Sequence, residues 1–247
     1  MYRKIVIPVI SIIIFFISLI SVYAQDYEVL RGVMDIHSDI SDGLYPPEKI
    51  AQLAKEKNMT VLIFGDSALR KWEYGLWPLR NLLKKTMEEK SVLRMGTEKY
   101  LKRFATLKKE FPDLVIIPGL EVSPFYYWQG SPLSKNCSLN DWYKEFLVIG
   151  LKDKDYKNLP IVGNRSFGYV CLSRFNQYQG GQGIKPYQNL IDYVNEKRGL
   201  IFWAHPEMES LQWYKGIEIY TPEHPEDLFL SQDYTGFGVT FIDRLKI

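Results

Sequence analysis

A chain of 247 residues, 46% hydrophobic and 15% aromatic, suits one large domain or two small ones and has the apolar content for a real core. A net charge of +2 with both signs interspersed gives no polybasic signature for nucleic acid. Two cysteines and three histidines are too few for a structural zinc module.

The first segment reads as an export signal. Tyr2-Arg3-Lys4 is a basic start, Ile5 to Ile20 is almost wholly apolar, and Val22-Tyr23-Ala24 matches a small-x-small cleavage site before Gln25. The expectation is a signal peptide over 1–24 and a single domain over 25–247, in a secreted or periplasmic protein. Anchorage by residues 5–20 is the alternative, and this segment is the only membrane contact expected. About 20 apolar residues are needed to span a bilayer, and Pro8 interrupts the run. An exported chain could join Cys137 and Cys171 in a disulfide.

Gly32 to His37 is the first predicted strand, and it runs into a stretch dense in acids: Asp35, His37, Asp39 and Asp42. On a strand, Asp35 and His37 share a face. An oxygen ligand beside an imidazole at a strand end suits a divalent metal; an acidic loop is the plain alternative. Pro46-Pro47-Glu48 starts a helix ending near Lys57-Asn58. Thr60 to Phe64 is the second strand and delivers Gly65-Asp66-Ser67. Residues 68–90 read as mixed and partly helical. A helix follows from Thr97 to Glu110, stopped by Pro112, and Leu114 to Ile117 is the third strand, leading to Glu121. Phe146 to Leu151 is a buried strand between long aromatic segments, 124–145 and 152–185, that read as loops. Pro186 to Lys197 is a helix, Leu200 to Trp203 a strand ending at His205, and Gly216 to Tyr220 a further strand.

Strand and helix alternating several times predicts a parallel sheet, open or closed. The polar candidates Asp35, His37, Asp66, Glu121 and His205 fall just past strand C-termini, the face where β/α barrels gather their catalytic groups.

These motifs, taken together and in order, resemble the PHP (polymerase and histidinol phosphatase) family. Its opening Asp-x-His-x-His-Ser-x-x-Ser-Asp-Gly is similar to Val33 to Gly43, with Pro47-Glu48 following. Its Thr-Asp-His corresponds to Gly65-Asp66-Ser67, its Pro-Gly-x-Glu-x-Ser to Pro118 to Ser123, its Ala-His-Pro to Ala204-His205-Pro206, and its Gly-x-Glu-x-Tyr to Gly216 to Tyr220. The resemblance implies a distorted (β/α) barrel and a metal-dependent phosphoesterase working through metal-activated water. It implies metal ligands Asp35, His37, Asp42, Glu121 and His205, with Asp66 orienting them, and a small-molecule or phosphoester substrate. The cofactor is a divalent ion, Mn, Mg, Zn or Fe.

The departures are specific. Asp35 and Ser67 stand where the family has histidine, and Glu145 is the nearest counterpart of another. Carboxylate for histidine favours harder ions such as Mg²⁺, Mn²⁺ or Ca²⁺ over Zn²⁺. The family's closing Asp-x-His, expected after Phe241 to Leu245, is not reached by Ile247. The expectation is a barrel incomplete at its C-terminus, with a truncated chain whose last ligands lie downstream as the alternative. The alternative function is a degenerate, non-catalytic PHP domain that binds a ligand or partner. Glu218 reads as structural, His224 as a surface loop residue, and Phe125 to Trp128 as core.

Overall fold

The structure is a computed structural model that describes residues 29–80, 82–131, 134, 136–164 and 174–238. The segment expected to be a signal peptide, Cys171 and the Phe241 to Leu245 segment lie outside the described residues. No helix among the described residues is long and apolar enough to cross a membrane.

The scaffold of the site is a set of parallel strands. Strand β1 (Gly32–Ile36) pairs with β2 (Val61–Phe64), which continues past Gly65 into β3 (Asp66–Ser67). Alongside run β6 (Val115–Ile117) and, past Pro118, β7 (Gly119–Val122). The register holds across both breaks, since Val61 faces Val115 and Ser67 faces Glu121. Helix α1 (Pro47–Glu56) connects β1 to β2, with Pro46 as N-cap and Glu48 in its first turn.

The next strand reverses. β10 (Glu145–Ile149) runs antiparallel to β7 on one side and to β11 (Leu200–Ala204) on the other. The all-parallel expectation fails here because no crossover helix joins β7 to β10. The chain leaves through β8 (Tyr127–Gln129) and β9 (Ser138–Asn140) and comes back in the opposite sense. All five residues of β10 are buried, as expected of a central strand covered on both faces. β14 (Gly236–Phe237) lies parallel to β11 at the edge. Strand order runs β1-β2-β6 in one sheet and β14-β11-β10-β7-β3 in the other, with no closed barrel among the described residues. The expected PHP-type barrel is thus reduced to a mixed α/β architecture of several sheets. Closure needs a wall strand pairing β1 to β14, and the described strands supply none.

Two further corrections concern the segments read as helix or loop. Residues 68–90 form a hairpin, β4 (Lys71–Gly75) with β5 (Lys84–Glu88). Segment 124–145 supplies β8 and β9 to a four-stranded sheet with β12 (Ser210–Tyr214) and β13 (Ile217–Thr221). The β12–β13 turn is Lys215-Gly216, both at positive φ (51° and 82°), the pattern of a two-residue hairpin loop.

Two cores result. One surrounds Phe64, Phe146 and Trp203 and takes its lids from α2 (Val92–Met95), α3 (Thr97–Glu110), α4 (Asp153–Lys157) and α5 (Lys185–Glu196). α3 buries Tyr100, Phe104 and Leu107, and α5 buries Tyr187, Leu190, Ile191 and Val194, each a single helical stripe. The second core packs Trp72, Phe125, Tyr126, Trp128 and Trp142, with Tyr127 partly buried against it, so the Phe125 to Trp128 run is core as expected. His224, expected at the surface, is 3% exposed. It precedes α6 (Glu226–Leu230), stands 5.7 Å from the Trp203 ring, and its backbone N–H donates to the Pro206 carbonyl at 2.8 Å. It therefore tethers the turn just after His205.

Candidate metal centre

Asp35, His37, Glu121, Glu145 and His205 converge where β1, β7, β10 and β11 meet. Two groups of donors emerge, Asp35–His37–Glu121 and Glu121–Glu145–His205, with the donor atoms within each lying within 4.8 Å of one another. Glu121 belongs to both. Its Oε2 is 3.3 Å from His37 Nε2, and its Oε1 is 3.5 Å from His205 Nε2.

Local structure explains each placement. β1 carries a bulge between Met34 and Ile36, and Asp35 sits within it at φ 63°. A bulge re-aims a side chain, and Asp is among the few residues that tolerate a left-handed backbone. Its carboxylate lies over Gly65, where an added Cβ would fall 2.1 Å from Asp35 Oδ1. Gly65→Ala is expected to displace Asp35, destabilise the fold by about 1–3 kcal/mol and weaken Mn²⁺ binding; a thermal melt with a Mn²⁺ titration checks both. His205 also has a positive φ, 31°. Left-handed non-glycine residues gather where a site constrains the backbone. Register does the rest: Glu145 faces Ala204, so β10 opens on the site beside His205, whose Nε2 lies 3.9 Å from Glu145 Oε2.

Asp42 has a different neighbourhood and belongs to neither donor group. Its Oδ1 meets His37 Nδ1 at 2.6 Å, its Oδ2 accepts from Arg70 Nη1 at 2.5 Å, and Ser67 Oγ lies 3.4 Å from Oδ1. Arg70 is in turn held by Glu89 at 2.7 Å. Asp66 is fully buried and accepts from Ser38 N, Ser38 Oγ and Ser41 Oγ at 2.7–2.9 Å. It therefore shapes the loop carrying His37 and Asp42. Arg70 and the weight of Glu145 escape sequence reading. Arg70 has no motif, and Glu145 opens a strand, whereas His37 and His205 follow the ends of theirs.

The acids crowd one another. Burial first, then Glu121, push Asp35 up to about 6. Burial and the charges of Glu121 and Asp35 push Glu145 well above the usual carboxylate range. Burial alone would lower His37, but the Asp42 hydrogen bond and the nearby Glu121 outweigh it and lift His37 to about 9. His205 is raised in the same way: Glu121 overcomes the effect of burial. Asp42 is driven far below its ordinary value, since His37 and Arg70 overcome its burial. Asp35 Oδ1 is buried without a hydrogen-bond partner. A buried carboxylate oxygen with no hydrogen bond, 3.8 Å from His37 Nε2 and crowded by Glu121, fits a divalent cation, and the mixed imidazole and carboxylate donors suit such an ion.

No protein-family profile matches the chain, and no curated protein does. Solved structures do. The chain is similar to PHP-like phosphoesterases. One is a two-domain protein from Bacteroides vulgatus containing a predicted PHP-like metal-dependent phosphoesterase, at 14% identity and a TM-score of 0.38. The match covers 83% of this chain and 41% of that longer one, so the chain spans less than half its length. Another is an inferred metal-dependent phosphoesterase from Bifidobacterium adolescentis, at 10% identity and a TM-score of 0.43, covering 89% of this chain and 82% of that one.

Proposed function

We propose that the chain is a PHP-like metal-dependent phosphoesterase acting on small phosphoesters, with Glu121 shared between two cation positions. The observation that carries this is the division of Glu121, one carboxylate oxygen toward His37 and the other toward His205. The phosphoester assignment rests on the motif resemblance from Val33 to Tyr220. We extend the proposal to export by cleavage after Ala24 and to a sheet descended from a PHP-type barrel.

Asp35, His37 and Glu121 would hold one ion, and Glu121, Glu145 and His205 the other. When bound, divalent ions polarise phosphate oxygens and activate water for attack. The chain's own residues prepare for that task. Asp42 holds the Nδ1 proton of His37, which turns Nε2 toward Glu121 and fixes the tautomer. Arg70, itself held by Glu89, holds Asp42 in turn. Glu145, raised well above the usual range, can keep a proton until a cation displaces it.

Cation uptake must then expel protons. His37 is charged below about 9 in the cation-free protein, and a ligating Nε2 must be bare. Apparent Mn²⁺ affinity is expected to rise with pH, with a slope of about 1 or more between neutral pH and about 9, then to flatten. Calorimetry in buffers of different ionisation enthalpy reads the proton count, and uptake without proton release would contradict the arrangement.

The function itself is tested on the full chain, stripped with chelator and reloaded. Stoichiometric Mn²⁺ uptake and Mn²⁺-dependent cleavage of bis-p-nitrophenyl phosphate support it; absence of uptake refutes it. The second reading, a degenerate domain that binds without turnover, is favoured by one observation. The Arg70 guanidinium sits on Asp42, beside the serine that replaces a family histidine. Uptake without hydrolysis of phosphodiester or phosphomonoester selects that reading.

A further inference from the structure

A second concave site lies in the other half of the molecule. It is a cavity of about 730 Å³ between the β4–β5 hairpin and the four-stranded sheet, and no residue of the acidic centre lines it. That volume falls in the usual range of small-molecule pockets, about 300–1,000 Å³. Its walls are apolar: Tyr74, Met87, Trp128 and Ile217, with the more exposed Leu76 and Leu83 beside them.

The ring walls are fixed in advance. The Trp128 indole N–H donates to the Glu73 carbonyl at 2.9 Å, and Tyr74 packs edge-on against both Trp128 (5.1 Å) and Tyr178 (5.9 Å). Side chains already immobilised lose little entropy when a ligand arrives.

Charge at the rim is of one sign, from Lys84, Lys85 and Lys215. Lys84 is committed to Glu73 at 3.1 Å. Lys85 is exposed on β5, and Lys215, exposed on the left-handed β12–β13 turn beside Gly216, rests its ammonium 4.7 Å from the Tyr214 ring centroid. Apolar rigid rings below and lysines above complement a molecule with an aromatic body and one anionic end.

We infer that this cavity binds an aryl anion, its ring system against Tyr74, Met87 and Trp128 and its carboxylate, sulfonate or phosphate at Lys85 and Lys215. The inference does not depend on the metal centre or on hydrolysis.

Anilinonaphthalene sulfonate is a probe of this class, and N-phenylnaphthylamine is its uncharged counterpart. Titrating the full chain with the sulfonate at low salt should reveal one saturable site. Lys85→Glu with Lys215→Glu should weaken it by at least about tenfold while leaving the uncharged probe unchanged. Both positions are at the surface, so a cooperative melt at the wild-type temperature excludes dye uptake by partly unfolded chain. Cys137 lines the same cavity and gives an independent readout. In a Cys171→Ser background, saturating sulfonate should slow its alkylation several-fold. The inference is overturned if binding is not saturable, if the charge reversals leave sulfonate affinity unchanged, or if Cys137 reacts equally fast with and without the probe.

Discussion

Glutamine in place of Glu121 is expected to abolish the stabilisation that Mn²⁺ confers on the folded chain and to reduce Mn²⁺-dependent phosphodiester hydrolysis by more than about 100-fold. Removing groups that merely orient metal ligands lowers affinity or activity by about 10–100-fold. Glu121 is proposed as a ligand on two sides at once, so its loss should exceed that range. Glutamine keeps the size and one oxygen but halves the acceptor capacity and removes the charge between His37 and His205. The readout need not be activity. An ion at a hundredfold excess over its Kd stabilises the native state by about 2.7 kcal/mol. A chain of this size shifts by about 2–4 °C per kcal/mol. Wild-type protein should therefore melt roughly 5–11 °C higher with saturating Mn²⁺, and Glu121→Gln should show no such shift. An equal shift in both proteins would remove Glu121 from the site, and with it the shared-carboxylate arrangement.

Asp66→Ala carries the second large effect, and it acts through the fold. The carboxylate is fully buried and accepts three hydrogen bonds from the loop that bears His37 and Asp42. Hydrogen bonds to a charged group contribute about 1.5–3 kcal/mol each, and alanine would leave the Ser38 amide and two hydroxyls unpaired. A loss of about 3 kcal/mol or more is expected, which lowers Tm by roughly 6–12 °C. Mn²⁺ affinity should fall too, because the loop that positions His37 is no longer pinned. Asp66→Asn retains an acceptor oxygen where all three donors converge on Oδ1 and should recover part of both losses. If Asp66→Ala melts and binds Mn²⁺ like wild type, the loop is held by something else and Asp66 has no positioning role.

The outcome at Asp42 shows how far a motif carries. Its place in the Ser41-Asp42-Gly43 turn is local and readable, whereas its partner is not. Arg70 reaches it from 28 positions away, on the segment leading into β4. Residues 68–90 look partly helical because their apolar spacing is mixed, and only the cross-strand pairing of Trp72 with Met87 and of Tyr74 with Lys85 makes them a hairpin.

Much was determined by the sequence alone. Proline starts and apolar stripes specified α1 and α5, and an apolar stripe stopped by Pro112 specified α3. Apolar runs ending in polar residues specified β1, β2, β6 and β11, and so put His37 and His205 just past strand ends. These are local properties, decided by side-chain period and backbone preference within a few residues. Strand direction, register and closure are not local, because they depend on which distant segment pairs with which. Only the tertiary structure decided that β10 runs backward, which turns Glu145 from the ordinary start of a strand into a neighbour of His205. It also decided that β1 and β14 remain edges among the described residues. And it buried His224 behind the turn that follows His205, a packing outcome that its polar local sequence, Glu223-His224-Pro225, gives no reason to expect.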